Sequence, residues 1–268
     1  MRVGPPRKLS EFEDLTAAEK QLLAEYASGE FVVIGDGKRP IASAGPDHQI
    51  RADLIRYLLL GGCAELAAKV HEKGVRVAGA VITGPLDLQG CESKLDLVLA
   101  ACHFKDTVTL RSARLGSVIF DHSHLPGINA DRLVTTGSVS LDGATVTGAV
   151  RLLGARIGGN LDCDGATLTG PPDAKGPEAA AVTADGLVTT GGVFLRGATV
   201  TGAVRLLGAR IGGDLDCAGA TLTAREAGQT GQGDAMDLGG ARIDGSFFVR
   251  GVRRLSARST CLQPNLAA

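Results

Sequence analysis

The sequence has almost no large aromatic side chains. Among its 268 residues there is no tryptophan, and there are only 2 tyrosines and 7 phenylalanines. Compact domains of this size normally fill their cores with such rings, so an ordinary globular core is not expected. Prolines number only 10 against 38 glycines, and without a Gly-X-Y period this composition excludes collagen. Because 44% of the residues are hydrophobic and 21% are charged, the chain is not expected to be disordered either.

An excess of charge of one sign is also missing. The chain has 28 Lys and Arg residues and 29 Asp and Glu residues, a formal net charge of −1. It therefore shows neither the basic excess of a nucleic-acid binder nor the acidic excess of a DNA mimic. The most apolar stretch, residues 54–68, contains Arg56 and Glu65 and is too short to span a membrane. With no secretory leader in the sequence, we expect a cytoplasmic location.

The cysteines lack the spacing of a metal site. None of the six belongs to a Cys-x-x-Cys motif, so neither a zinc site nor a disulfide framework is predicted. We expect buried free thiols, with Leu195 between Cys163 and Cys217 in the interior. The six are Cys63, Cys91, Cys102, Cys163, Cys217 and Cys261.

What the sequence has instead is repetition. Residues 133–169 and 187–223 align at a period of 54, with five differences in 37 positions. Inside each copy Gly-Ala recurs every 11 residues, beginning at positions 143, 154 and 165 in the first copy. Apolar residues come in pairs at i and i+2, such as Ala144 and Val146. Such a pair places two side chains on one face of a short strand, and the glycines between pairs suit turns.

The pairing extends over residues 74–250, and four such faces would close a coil of about 20–22 residues. The sequence therefore predicts an all-β solenoid, a right-handed quadrilateral parallel β-helix of seven or eight coils. Its narrow interior would have little room for large rings. Residues 170–181 and 224–234 interrupt the pattern and are predicted to be polar, flexible loop insertions. Residues 251–268 are predicted to form a tail or an end cap.

Residues 1–73 do not follow the pair rule. They predict a small helical region that caps the first coil. One helix is expected after a capping box formed by Thr16 and Glu19, and a second helix is expected over residues 50–60, capped by Asp47.

The core pattern resembles that of the pentapeptide-repeat family. Ala144-Thr-Val146 and Ala155-Arg-Ile157 place a small residue at i−2 and a larger aliphatic residue at i. The resemblance covers about residues 74–250 and departs from the family in its alternating five- and six-residue steps. It implies a β-helix, and it implies a homodimer formed through an end coil.

The N-terminal part is similar to a second group of bacterial repeat proteins. These share stretches of the type IRADLIRYLLLGG and VHEKGVRVAGAVITGPLDL, and some are called membrane-associated oxidoreductases. A strand-linked Gly-x-Gly-x-x-Gly motif is missing from this sequence, and no membrane span is present. The residues themselves therefore predict no cofactor.

Two histidines provide the candidate metal site. Counting four faces to a coil places His103 and His124 in one outward column, one coil apart, where stacked imidazoles could bind a transition metal. Asp121 and His122 at the nearby corner could serve in acid–base chemistry. Surface histidines without a ligand are the alternative interpretation.

Four arginines of the duplicated copies form a candidate interaction face. Arg151, Arg156, Arg205 and Arg210 are predicted to point outward and to recur in columns two coils apart. Such a ladder could dock an acidic partner or a phosphate. The alternative is a solvated face with cross-strand charge pairing.

Three functions remain open. The repeat favours a non-enzymatic scaffold that binds a protein partner or a second copy of the chain. A β-helix enzyme would need clustered carboxylates, whereas Asp87, Asp121, Asp162 and Asp216 are scattered in the sequence. A DNA-mimicking protector of topoisomerase, known among pentapeptide-repeat proteins, is disfavoured by the arginines.

Overall fold

Short parallel strands stack into four sheets, here called A, B, C and D, in the order in which one coil visits them. The computed structural model describes residues 8–62, 69–172, 179–223, 226–227, 231–232 and 235–253. Sheet A contains Val32–Val33, Val75–Ala78, Leu97–Ala100, Val118–Ile119, Val139–Ser140, Leu161–Asp162, Val193–Phe194, Leu215–Asp216 and Phe247–Phe248. Sheet B contains Gln49–Arg51, Val81–Thr83, His103–Phe104, His124–Leu125, Thr145–Val146, Thr167–Thr169, Thr199–Thr201 and Thr221–Thr223.

Sheets C and D have six strands each. Sheet C contains Val108–Thr109, Ile128–Asn129, Val150–Arg151, Val182–Thr183, Val204–Arg205 and Met236–Asp237. Sheet D contains Arg114–Leu115, Val134–Thr135, Arg156–Ile157, Val188–Thr189, Arg210–Ile211 and Arg242–Ile243. This arrangement confirms the predicted four-sided parallel β-helix.

The register confirms the predicted coil length. Val118 pairs with Val139 and Val139 pairs with Leu161. These partners are 21 and 22 residues apart, within the predicted coil length of about 20–22 residues. Leu161 then pairs with Val193, a longer step, because residues 170–181 are inserted in that coil. The duplicated copies lie two coils apart, as predicted, since Leu161 stands between Val139 and Val193 in sheet A.

Glycine at the corners allows the chain to turn between sheets C and D and between A and B. Gly143, Gly154 and Gly165 each adopt a φ near +60° immediately before an inward alanine. In earlier coils His122 and Arg132 occupy equivalent corners, with φ of 56° and 57°. The corner therefore requires the left-handed conformation, which glycine adopts without steric cost.

The interior is a column of buried aliphatic residues with few rings. Phe104 and Phe120 are both 1% exposed, and their ring centroids lie 5.4 Å apart in an edge-to-face arrangement. The sheets thus leave room for this one phenylalanine pair near the N-terminal end of the described stack.

The predicted cap adds strands as well as helices. Helix α1 covers Ala17–Glu25, and the capping box of Thr16 and Glu19 is confirmed. The second helix, α2, covers Ala52–Leu59 and begins after Arg51, so the prediction that Asp47 caps a helix over 50–60 was wrong. Gln49–Arg51 instead pairs with Val81–Thr83 in sheet B, because extended pairing satisfies the backbone groups of this segment.

The last described coil ends the apolar stack. Val249 lies in the range 74–250 predicted to bury apolar pairs, but it is 46% exposed, because no further described coil covers it. Of the predicted C-terminal segment 251–268, residues 254–268 lie outside the described part of the chain.

The two predicted insertions are only partly described. Ala180 and Ala181 are buried, so the end of the first insertion packs on the stack and does not belong to a polar loop. The second contains an antiparallel pair between Glu226–Ala227 and Gly231–Gln232. Residues 173–178 and the side chains of residues 224–234 lie outside the described part.

The inward cysteines are structural. Burial raises the pKa of the Cys102 and Cys217 thiols to about 12 and also raises the pKa of Cys163. Leu195 lies between Cys163 and Cys217 in the stack, as predicted. Cys91 is only half-buried, which corrects its prediction, and Arg56 Nη2 lies 3.6 Å from its Sγ. Cys63 and Cys261 lie outside the described residues.

In the described ranges no helix is long and apolar enough to cross a membrane.

Candidate functional site

Two neighbouring strands of sheet B bring the predicted histidines together. His103 pairs directly with His124 in the parallel register, and the imidazole rings stack with centroids 4.5 Å apart at an interplanar angle of 10°. The predicted placement in one outward column is therefore confirmed. The two residues meet because exactly one coil of the chain separates them in the sequence.

The surroundings of the pair disfavour the imidazolium form. Partial burial, then the charges of His124, Arg39 and Lys105, lower the pKa of His103. Partial burial and Arg39 lower the pKa of His124. Arg39 is brought here by the N-terminal region, and its Nη1 donates to His122 O and to Thr145 Oγ1, each at 3.3 Å. Both imidazoles are therefore held neutral to a lower pH than usual.

The stack constrains how a metal ion could be held. Equivalent nitrogens of two parallel rings are about as far apart as the ring centroids, 4.5 Å. Zinc–nitrogen bonds of about 2.1 Å would allow at most about 4.2 Å between two ligand atoms. The rings would have to tilt towards each other to share an ion. His124 Nδ1 is buried and has no hydrogen-bond partner in the described structure. The metal role of His103 and His124 stays a prediction.

Asp121 and His122 lie at the adjacent corner, as predicted, but their hydrogen bonds are made with the neighbouring coil and with Arg39. Asp121 Oδ1 accepts hydrogen bonds from Ser140 Oγ and from the Asp142 backbone N–H. The His122 carbonyl accepts from Arg39. These contacts fasten consecutive coils and the N-terminal region to each other.

The histidine pair should make stability depend on pH. Both folded-state pKa values lie below the unfolded value of 6.5, so the unfolded chain binds protons first as the pH falls. The contribution of the pair is fully present above 6.5 and is lost as the pH falls through the folded-state pKa values. We expect His124→Gln to flatten this dependence in chemical denaturation between about pH 7 and about pH 5. His71→Gln, outside the stack, should retain it, and an unchanged profile in His124→Gln would contradict the assignment.

The arginines of sheet C are outward but already paired. Arg151 Nη2 lies 2.7 Å from Asp131 Oδ2, and Arg205 Nη2 lies 2.8 Å from Asp185 Oδ2. Each aspartate belongs to the preceding coil. These two arginines match the charge-pairing alternative and contribute little free positive charge to an interaction face.

The arginines of sheet D are different. Arg156 and Arg210 are exposed, and they lie in one column with Val188 between them. Arg242 continues this column directly after Arg210. None of these three makes an ion pair with any residue that the structure describes. Arg114 begins the column and pairs with Glu92 at 3.2 Å. We call Arg156, Arg210 and Arg242 the arginine column.

Sequence reasoning missed Arg242, because it follows the second insertion and lies outside the duplicated copies. It also missed the glycines beside the column. A Cβ on Gly158 would lie 2.3 Å from Thr136 O, and a Cβ on Gly212 would lie 2.4 Å from Thr190 O. Side chains are therefore excluded at these two exposed positions, because a Cβ would collide with the backbone of the preceding coil.

Of the carboxylates considered for an enzyme, Asp87 lies apart beside sheet C, whereas Asp121, Asp162 and Asp216 lie on or next to sheet A. Asp162 and Asp216 share a column of sheet A but are separated by Phe194. Burial, and to a smaller extent Asp164 and Asp142, raise the pKa of Asp162. Asp87 accepts from the Gln89 backbone N–H, away from that column. Among the described residues, no group of three or more His, Cys, Asp or Glu side chains is arranged to hold a metal ion.

Comparison with known proteins adds no assignment, since no family model, curated protein or solved structure matches this chain.

Proposed function

We propose that the protein is a non-enzymatic β-helical scaffold that binds an acidic segment of a protein partner on sheet D. The observation that carries the proposal is the arginine column, three exposed guanidinium groups on one rigid face that make no ion pair with any described residue. Arg210 and Arg242 are direct neighbours in the register, so like charges face each other until an anion is bound.

The spacing of the column suits an extended peptide that lies along the solenoid axis. Arg156 and Arg210 are two coils apart, about 9.6 Å at the usual separation of strands. Three residues of a polyproline II segment cover about 9.3 Å and return to the same side of the chain. Acidic side chains at every third position of such a partner would therefore reach both Arg156 and Arg210. Val188 lies between them and offers an apolar contact to the residues in between.

Gly158 and Gly212 add no side chains next to Arg156 and Arg210. The same arginines weigh against a DNA mimic, which would present acidic side chains. The cytoplasmic location and the homodimer through an end coil, expected from the sequence and from the resemblance, belong to this proposal as well. The free thiols of Cys102, Cys163 and Cys217 support a reducing compartment.

Charge reversal of the column tests the proposal. We expect a labelled peptide with glutamate at every third residue to bind the parent protein in fluorescence anisotropy, and added salt to weaken the binding. Arg156→Glu with Arg210→Glu should abolish binding, because two attractive contacts become repulsive.

The matched control is the double variant Arg111→Glu with Arg132→Glu, which makes the same charge change at exposed positions outside the column. It should bind like the parent protein. Equal losses in both double variants would show a response to net charge alone. Absence of binding by the parent protein to this peptide would overturn the proposal.

A further inference from the structure

The outward side of sheet B carries two adjacent columns of threonine, which we call the threonine array. In the first column Thr145, Thr167, Thr199 and Thr221 pair directly in register. In the second column Thr169, Thr201 and Thr223 pair directly. Thr147 precedes them in the coil before. Each of four successive coils thus presents the tripeptide Thr-x-Thr with its aliphatic middle residue buried.

Gene duplication does not account for this uniformity. The period of 54 relates Thr145 to Thr199 and Thr167 to Thr221, but it does not relate Thr145 to Thr167. In the other sheets the outward residue type changes from one coil to the next. In sheet A, Ser140, Asp162 and Phe194 follow one another in a single outward column. Sheet B alone keeps one residue type in both columns through all four coils.

The hydroxyl groups of the array are available to an external ligand. Within the described ranges, Thr145 is the one member whose hydroxyl has a hydrogen-bond partner, Arg39. By contrast, Thr135 and Thr189 of sheet D donate to the carbonyls of Gly137 and Gly191, each at 2.8 Å. Unlike these two buried threonines, the array members other than Thr145 form no hydroxyl hydrogen bond with any described residue.

The array is uncharged and has charged boundaries. Arg39 lies at its first coil, where it donates to Thr145 Oγ1, and Arg253 follows Thr221 in the first column. From the coil of Thr145 to the coil of Thr221 both columns contain only threonine. A ligand that matches the array is therefore neutral, accepts and donates hydrogen bonds, and repeats regularly in two directions.

The parallel register fixes both repeats. Hydroxyls of neighbouring coils are about 4.8 Å apart, and those of one Thr-x-Thr are about 6.6 Å apart. A single hydroxyl has no preference for ordered over liquid water, because both offer the same hydrogen bonds. A rigid lattice of hydroxyls behaves differently from a single hydroxyl, because it holds many first-shell waters in fixed positions at the same time. The adjacent methyl groups restrict the orientation of these waters.

We propose that the threonine array binds ice, that is, the ordered water lattice at a crystal surface. The array contains no aromatic ring on which a sugar could stack, so a crystalline polysaccharide is the less suited neutral ligand. This inference does not depend on the arginine column, which lies on a different sheet.

Inhibition of ice recrystallisation tests the proposal on the full chain. We expect the parent protein to keep ice grains small during annealing and to be incorporated into a slowly grown ice hemisphere. The double variant Thr167→Lys with Thr199→Lys should lose both effects, because two exposed positions then carry long hydrated cations. Thr136→Lys with Thr190→Lys makes the same change at exposed positions of sheet D and should retain both effects.

Circular dichroism verifies that each variant is folded, and the single variant Thr167→Lys replaces the double variant if the latter is not. Grain growth with the parent protein equal to that with serum albumin would overturn the proposal, as would full activity in the array variant. Binding to crystalline cellulose or chitin that the array variant loses, without any effect on ice, would assign the array to a polysaccharide instead.

Discussion

Replacing Arg51 with alanine is expected to lower the free energy of unfolding by about 3–5 kcal/mol. Glu19 is 0% exposed, and Arg51 is its only charged partner in the described structure. Arg51 Nε donates to Glu19 Oε1 and Arg51 Nη2 to Glu19 Oε2, each at 2.7 Å. The variant leaves a buried carboxylate without a counter-ion at the junction between helix α1 and sheet B. Urea denaturation at neutral pH measures the loss.

The pH dependence gives a second measurement on the same pair. Burial alone would raise the pKa of Glu19, but hydrogen bonds from Arg51 and Thr16 outweigh it and lower the pKa below 4.5. A carboxyl with a lowered pKa contributes stability that is present above its unfolded pKa and lost as the pH falls through the folded-state value. Arg51→Ala removes the side-chain hydrogen bonds and the positive charge while burial remains, so the pKa of Glu19 should rise. The loss of stability should therefore shrink as the pH falls and Glu19 becomes neutral.

Lys73→Ala is the matched control, because it removes a pair that is exposed on both sides. Lys73 Nζ lies 3.3 Å from Glu30 Oε1, and both side chains are mostly in water. We expect a change of about 0–1 kcal/mol. If Arg51→Ala and Lys73→Ala were equally stable, the Arg51–Glu19 pair would not stabilise the N-terminal region.

Truncating Phe104 to alanine is expected to cost about 3–5 kcal/mol, because it empties the interior of the solenoid and removes the edge-to-face contact with Phe120. In a solenoid each coil is stabilised mainly by its neighbours, so the loss should fall on the coils around sheet B residues 103–125. Thermal and urea denaturation measure the total, and hydrogen exchange locates it.

Phe194→Ala tests whether the effect is due to burial. Phe194 lies on the outward side of sheet A, where Arg196 stands over its ring at 4.9 Å from the centroid. We expect a loss of up to about 1 kcal/mol from this cation–π contact. Similar losses from the inward and the outward phenylalanine would contradict the assignment of Phe104 to the core.

Local patterns predicted much of the fold because each coil repeats one rule. The i, i+2 pairs such as Ala144 and Val146 correctly identified inward residues, and counting coils correctly paired His103 with His124. The helix predicted over residues 50–60 was wrong at Ile50 and Arg51, which are extended although the apolar spacing favoured a helix. Pairing with Val81–Thr83 decided the conformation there, and that partner is distant in sequence.

The candidate sites were less predictable, because they depend on which residue of another coil lies alongside. Arg151 and Arg156 are both outward by sequence. Only the register shows that Asp131 neutralises the first while the second has no acidic partner in the described chain. Arg242 joins the column across an insertion whose length the repeat does not specify.

The sequence by itself determined the architecture. Short apolar pairs, corner glycines and the shortage of aromatic residues lead to a narrow four-sided stack, because each coil can bury its pairs only against the next. The tertiary structure decided which outward residues are available. Stacking aligned Thr167 with Thr199 across the first insertion and Arg210 with Arg242 across the second, and it brought Arg39 onto the histidine pair. Such contacts follow from the register between coils, which insertions shift and local sequence does not record.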